Sequence, residues 1–139
     1  SHGIGTLHMS MTAWGGSMST FGQIYGHDGN SMMDQFSYRL PACTMDKAAT
    51  FFGIPRPTAL KMDVDGIEHL ILKGGAATLR DPELKTLLIE VNDDFAEQRE
   101  GVKSLLETAD WELKAKHHGD WMEKSVETAS MFNQIWQRK

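Results

Sequence analysis

Four side chains that can bind a ligand or move a proton lie near the ends of two predicted strands: Asp63, Asp65, Glu90 and Asn92. Asp63 and Asp65 are separated by one residue and precede a glycine, and Glu90 and Asn92 have the same spacing after an apolar run. A carboxylate beside a bound hydroxyl group can accept its proton or hold it in line for reaction. These residue types therefore indicate general-base or positioning chemistry.

A strand, a helix and a second strand are needed to position these side chains. Residues 60–64 alternate apolar and polar side chains, which is the period of a strand. After the turn at Asp65-Gly66, the apolar residues take helical spacing from Ile67 onward, and Leu87-Leu88-Ile89 reads as a strand buried on both faces. This order is a βαβ unit with parallel strands, so the four side chains are predicted to gather beyond their carboxyl ends.

The two aspartates differ in how readily a purely structural role explains them. Asp65 precedes the helix and is suited to cap it, with Glu68 three residues on completing a capping-box-like pair. Asp63 lies inside the strand, where a buried carboxylate seldom lacks a partner. Asp63 is therefore the stronger candidate for a functional role, and for Asp65 the two interpretations stay open.

Sequence blocks around the βαβ unit match a family signature. Residues 61–68, Leu72-Lys73-Gly74 and residues 87–91 together resemble the central signature of the FkbM family of S-adenosylmethionine-dependent methyltransferases. That family usually reads Lys-Ile-Asp-Val-Glu-Gly, so Asp65 departs from it by one methylene group with the charge kept. Further similar segments are Thr44-Met45-Asp46, Ala109-Asp110-Trp111 and Asn133-Gln134-Ile135-Trp136.

The resemblance implies an α/β fold with a partial Rossmann-like methyltransferase sheet, made of the βαβ unit and a carboxyl-terminal antiparallel hairpin. The length predicts a single domain over residues 1–139, with 1–40 as an irregular or hairpin segment and 41–139 as the methyltransferase-like core. Such enzymes begin with a glycine-rich cofactor loop and an acidic residue that holds the ribose. Gly3-Ile4-Gly5 follows no apolar strand run, so the cofactor-binding amino-terminal half is expected to be absent.

By the same resemblance, the function is O-methylation of a hydroxyl on a small molecule of sugar or polyketide type, with S-adenosylmethionine as the cofactor. The isolated chain is expected to be inactive because the cofactor loop is missing. The implied roles are catalytic for Asp63 and Asp65, cofactor-binding for Glu90 and Asn92, and substrate-side for Trp14 and His27, with Phe21 and Tyr25 as further substrate-side candidates.

Two other functions remain open. Asp63-Val64-Asp65 is also the Asp-x-Asp pattern with which metal-dependent glycosyltransferases hold a sugar nucleotide. A non-enzymatic half-fold acting as a dimeric interaction module, or a fragment of a longer enzyme, is the third hypothesis. His117-His118 followed by Asp120 is not expected to bind a metal, since adjacent histidines in a strand point to opposite sides, and a solvated turn is predicted there.

The composition indicates which classes of binding partner and which cellular compartment to expect. Among 139 residues, 14 are basic and 19 acidic, and the net charge of -5 with no basic cluster argues against nucleic acid. The single cysteine, Cys43, favours a reducing, cytoplasmic setting, and no apolar run is long enough to span a membrane.

In the family, the strand at residues 60–64 lies beside a first strand that is missing here. Its open edge predicts a homodimer, or a swap in which residues before Ser10 cover it.

The remaining periodic segments predict further elements. Strands are expected at residues 6–10, 38–43, 111–115 and 131–137. The third is predicted to have one solvent-exposed face, and the last is predicted to run antiparallel to its neighbours. A helix capped by Thr44 and stopped by Gly53 presents Met45, Ala48, Ala49 and Phe52 as a core face. A further helix carries Val102, Leu105, Leu106 and Ala109, and residues 14–30 are predicted to be a long loop or a hairpin.

Overall fold

The computed structural model describes residues 2–14, 17–118 and 128–139, which form a mixed α/β structure with two sheets. In chain order the elements are β1 (His2–Met9), β2 (Ser19–Phe21), β3 (Phe36–Cys43), α1 (Met45–Phe52), β4 (Ala59–Met62), α2 (Glu68–Lys73), α3 (Ala76–Arg80), β5 (Thr86–Asn92), α4 (Ala96–Thr108), β6 (Trp111–His117) and β7 (Met131–Arg138).

The first 43 residues contribute a three-stranded antiparallel sheet in the order β2-β1-β3. β1 pairs with β3 along its whole length, from His2 opposite Cys43 to Met9 opposite Phe36. The strands predicted at residues 6–10 and 38–43 are therefore confirmed as parts of β1 and β3. Residues 22–35, here called the β2–β3 loop, connect the short strand β2 to β3.

The second sheet has the order β4-β5-β7-β6 and contains the predicted βαβ unit. β4 and β5 are parallel, with Met62 opposite Ile89, so the residues that follow these two positions emerge at one edge. β7 lies between β5 and β6 and is antiparallel to both, which confirms the predicted direction of the last strand. Among the described strands, β4 pairs only with β5.

The apolar core lies between this sheet and helices α2, α3 and α4. Its members are fully or almost fully buried, and they include Leu72, Leu79, Leu87, Ile89, Val102, Leu106, Trp111 and Trp136. Burial of each large apolar side chain contributes about 1.5–3 kcal/mol. The Trp111 indole nitrogen donates a hydrogen bond of 2.9 Å to the carbonyl of Leu79, so its one polar atom is satisfied inside the core.

Helix α1 forms where it was predicted, but its apolar face is not core. Thr44 occupies the N-cap position and Gly53, with a φ of 61°, ends the helix. No residue of α1 is buried, and Phe52 is 66% exposed. The expectation of a core stripe was wrong because, within the described residues, α1 is fastened through its polar side. Asp46 accepts hydrogen bonds from the backbone N–H groups at the start of α3.

Strand β6 also departs from its predicted pattern. Trp111 is buried, but Leu113, expected on the same covered face, is 43% exposed. The pairing with β7 shifts register between Leu113 and Ala115, and such a bulge turns the strand and redirects the side chains beside it.

No helix within the described ranges is both long and apolar enough to cross a membrane.

Candidate functional site

Asp63 and Glu90 meet at the carboxyl ends of the parallel strands β4 and β5. Asp63 follows Met62 and Glu90 follows Ile89, the last pair in the register of the two strands. Glu90 is 7% exposed, whereas the Asp63 side chain is 41% exposed and lies 3.0 Å from the Lys61 ammonium group. Burial, and then the charge of Asp63, raise the pKa of Glu90 to about 7. Glu90 is therefore half protonated near neutral pH and hydrogen-bonded to Asp63.

Asp65 lies beside this pair but does not cap the helix, so the capping interpretation was wrong. The N-cap residue of α2 is Ile67, and Asp65 has a φ of 56° in the left-handed region. Its carboxylate instead accepts a hydrogen bond of 3.1 Å from the backbone N–H of Met18, directly before β2. Burial raises the pKa of Asp65, and the backbone N–H donors oppose that change. Asp65 thus joins the turn after β4 to the three-stranded sheet.

Gly66 lets the β2–β3 loop approach the same turn. Its φ is 108°, and a Cβ atom added there would lie 2.7 Å from the carbonyl oxygen of Gly26. Only glycine accommodates both the backbone conformation and this close contact. The Asp65-Gly66 turn is therefore covered by the loop that carries His27.

A buried pair, Glu68 and Gln98, lies behind the acidic residues. Glu68, at the start of α2, is 1% exposed, and its Oε1 accepts a hydrogen bond of 3.0 Å from the N–H of Val64. The side-chain amide of Gln98, in α4, donates to the other Glu68 oxygen and accepts a hydrogen bond of 2.8 Å from the N–H of Asn92. Burial raises the pKa of Glu68, which these donors oppose. Glu68 was predicted to complete a capping-box-like pair with Asp65, but its carboxylate binds the N–H of Val64 instead.

Asn92 uses both polar atoms of its side chain within the protein. Its Nδ2 donates to the carbonyl of His27 at 3.1 Å, and its Oδ1 accepts from the N–H of Asp94 at 3.0 Å. Its role toward a cofactor stays a prediction. In the structure, Asn92 fastens the β2–β3 loop to the end of β5.

The predicted substrate-side residues fall into two groups. His27 is half-buried, its carbonyl accepts from Asn92, and its backbone lies against Gly66, so it belongs to the acidic edge. Tyr25 packs edge-on against Phe95, with 5.4 Å between ring centres. Trp14 is fully exposed, and it is not among the described residues that line the cleft at this site.

A cleft of about 590 Å³ opens beside Asp63 and Asp65, between the three-stranded sheet and α2. Its walls are largely apolar, and they include Leu7, Phe21, Leu40, Ile67 and Ile71. A second cleft of about 420 Å³ shares Phe21 and Ile67 and continues toward Gly74. The arrangement is an apolar groove with two carboxylates at one end.

The prediction from sequence missed Gln98 entirely and saw Glu68 only as part of a cap. Glu68 lies inside the signature around Asp63, which could have drawn attention to it. Nothing in the local sequence marks Gln98, because its partners come from distant parts of the chain.

A solvated turn was predicted at the paired histidines, but His117 is the exposed last residue of β6 and His118 is half-buried. The ring nitrogen Nδ1 of His118 lies 3.0 Å from the carbonyl of Met131, and the ring packs against Phe132. Asp120 lies outside the described residues. Among the residues that are described, no three His, Cys, Asp or Glu side chains are placed to hold a metal ion.

Comparison with known proteins agrees with the geometry. No curated protein and no solved structure matches the chain significantly. The model of the methyltransferase FkbM domain matches residues 2–132, which covers both the three-stranded sheet and the βαβ unit. The chain therefore belongs to the FkbM methyltransferase domain family.

Proposed function

We propose that this domain serves S-adenosylmethionine-dependent O-methylation, and that Asp63 and Glu90 receive the proton of the acceptor hydroxyl. The observation that carries the proposal is the carboxyl pair at the ends of β4 and β5, in which the pKa of Glu90 is raised to about 7. A pair that exchanges a proton near neutral pH is suited to general-base work. Membership of a methyltransferase family names the reaction class.

The cleft beside the pair fits part of S-adenosylmethionine. Its apolar walls suit an adenine ring, and the carboxylate of Asp65 suits ribose hydroxyls, which leaves Asp63 for the acceptor. Among the described residues that line it, none is Lys, Arg or His, so the carboxylate of the methionine portion lacks a cationic partner there. When bound, the cofactor supplies the electrophilic methyl group.

The residues of the chain would handle the acceptor. Asp63 is the more exposed member of the pair, so it is the one that reaches a bound hydroxyl. Its carboxylate would orient the hydroxyl and accept its proton, and Glu90 would share that proton through their hydrogen bond. The apolar walls exclude water from one side of the reacting oxygen.

We propose further that this chain alone binds the cofactor too weakly to act. The glycine-rich loop and the acidic residue that would bind the cofactor are not expected in this sequence. Each charge-assisted hydrogen bond to the cofactor that is lost with them costs about 1.5–3 kcal/mol, so the loss of a few weakens binding by several powers of ten. Calorimetry with S-adenosylmethionine or S-adenosylhomocysteine at up to about a millimolar should show no binding. Saturable micromolar binding would overturn this part of the proposal.

The chemistry is tested on the product of the full reading frame that contains this sequence. Transfer of a labelled methyl group to sugar and polyketide hydroxyls is measured for the wild type, for Asp63→Asn and for Asp34→Asn as a control. Asp34 is a partly exposed carboxylate paired with His8, and it is not among the described residues that line the cleft. Asp63→Asn should lower kcat by about 100-fold or more, as expected for loss of a general base, with the control near wild type. Full activity of Asp63→Asn would refute the role of the pair.

A homodimer built on the β4 edge is a further part of the proposal. Among the described strands, β4 has one neighbour, β5, so its other backbone edge is free to pair. Residues 2–9 pair with β2 and β3 within the chain, so they do not cover β4 here. A second copy supplies the simplest partner for this edge.

A further inference from the structure

We propose that Glu68 and Gln98 are positioning residues that hold the ends of β4 and β5 at the separation at which Asp63 and Glu90 face each other. Neither residue lines the cleft. The functional meaning of this inference rests on the proposed methyl transfer, but its geometry and its test concern the chain alone.

The hydrogen bonds of the two residues span the sheet edge. Glu68 accepts from the N–H of Val64, the residue between Asp63 and Asp65 in the turn after β4. Gln98 accepts from the N–H of Asn92 at the end of β5, and its Nε2 lies 3.5 Å from the carbonyl oxygen of Glu90. A hydrogen bond between the two side chains links these contacts into a continuous chain from Val64 to Asn92. This chain of hydrogen bonds is called the Glu68–Gln98 bridge.

The bridge acts just past the last backbone pair of the two strands. β4 ends at Met62, whose partner is Ile89, so beyond these residues no β4–β5 backbone pairing fixes the distance between the chains. Asp63 and Glu90 lie directly beyond it. Both bridge residues are at most 2% exposed, so water cannot readily replace their hydrogen bonds.

The donor and acceptor roles along the bridge are fixed by the groups at its two ends. Backbone N–H groups at both ends can only donate, so each end needs an acceptor oxygen. The middle bond then requires one amide and one carboxylate. An exchange of the two, Glu68→Gln with Gln98→Glu, keeps the three hydrogen bonds to Val64, to Asn92 and between the side chains, as well as the total charge. It gives up only the longer contact, of 3.5 Å, with the carbonyl of Glu90. Either change alone places two donors or two acceptors against each other.

The test is a carbon NMR titration of the Glu90 carboxyl group in this chain, which requires no cofactor. Gln98→Met removes the hydrogen bonds of the bridge without changing charge, and Gln137→Met makes the same change at an exposed position of β7. If the bridge positions the pair, Gln98→Met lowers the Glu90 pKa from about 7 by at least about one pH unit, since Glu90 gains water and moves away from Asp63. Gln137→Met leaves it unchanged.

The exchanged pair, Glu68→Gln with Gln98→Glu, supplies the rescue. It should fold, keep the Glu90 titration within a few tenths of a pH unit of wild type, and be more stable than either single variant. A folded Gln98→Met chain with an unchanged Glu90 titration would overturn the proposal. If Gln98→Met does not fold, the exchanged pair decides: failure to fold, or a Glu90 pKa near 4.5, rejects the bridge as the positioning device. These outcomes do not depend on whether methyl transfer occurs.

Discussion

The carboxylate of Asp65 accepts a hydrogen bond of 3.1 Å from the backbone N–H of Met18, a residue 47 positions earlier in the chain. This contact joins the turn after β4 to the start of β2, and therefore one sheet to the other. The left-handed backbone of Asp65 aims the side chain away from the helix that it was expected to cap.

Replacement of Asp65 should loosen the three-stranded sheet. Asp65→Ala removes the acceptor and leaves an alanine in the left-handed region, so we expect a loss of about 2 kcal/mol and faster hydrogen exchange at the amides of Met18 and Ser19. Asp65→Asn keeps an acceptor oxygen and tolerates this backbone, so it should cost less than about 1 kcal/mol. Unchanged exchange at Met18 and Ser19 in Asp65→Ala would show that the contact does not hold β2.

Glu90 should make the folded chain less stable as the pH rises toward neutrality. Its pKa is raised from 4.5 to about 7, so the folded chain retains a proton that the unfolded chain releases between these values. Its contribution to stability is therefore fully present at low pH and lost as the pH rises through 7, by up to about 3 kcal/mol.

Glu90→Gln removes this dependence because glutamine does not titrate. The free energy of unfolding of both proteins is measured from denaturant curves at several pH values. Relative to Glu90→Gln, the wild type should lose stability from pH 4.5 to 7, and the difference should then stay constant. A difference that stays constant across this range would mean that Glu90 titrates normally in the folded chain.

At two positions with left-handed backbone, introducing a glycine and removing one should change the stability in opposite directions. Asp110 follows α4 with a φ of 65°, where glycine carries no steric cost, so Asp110→Gly should stabilise the chain by about 0.5 kcal/mol. Gly53 has a φ of 61°, and a Cβ atom there would meet no atom within 4 Å. Gly53→Ala should therefore cost about 1 kcal/mol through backbone strain alone. Thermal unfolding of both variants measures the pair, and the same sign of change in both would contradict the expectation.

The open edge of β4 should be visible as self-association. Light scattering on the purified chain across a concentration series should give a mass near twice 15.6 kDa at the higher concentrations. Slowed hydrogen exchange of the β4 amides on dimerisation would assign the interface to this edge. A strict monomer at every concentration would contradict the proposed dimer.

The parallel pair β4 and β5 was predictable because its signals are local. The change from a period of two to helical spacing, followed by an unbroken apolar run, lies within a continuous stretch of sequence. The meeting of Asp63 and Glu90 followed from that pairing alone. The position of β7 between β5 and β6 was not predicted, since direction follows from a short connection whereas strand order depends on the whole sheet.

The errors have a common physical origin in distant partners. Asp65 has the local pattern of a cap, but it bonds to Met18 on another sheet. Gln98 bonds to Glu68 across 30 residues and between two helices. For α1, periodicity identifies an apolar face but not what covers it, so Phe52, which is exposed, was expected inside.

The place of β7 between β5 and β6 also governs the order of events during synthesis. Among the described strands, β6 pairs only with β7, so β5 and β6 leave the ribosome with no bond to each other. Translation adds about 5–20 residues per second, so β5 waits with one unpaired edge until residues 131–138 have emerged. During that interval the nascent chain exposes an unpaired edge of β5 and both edges of β6, which chaperones or other nascent chains can bind.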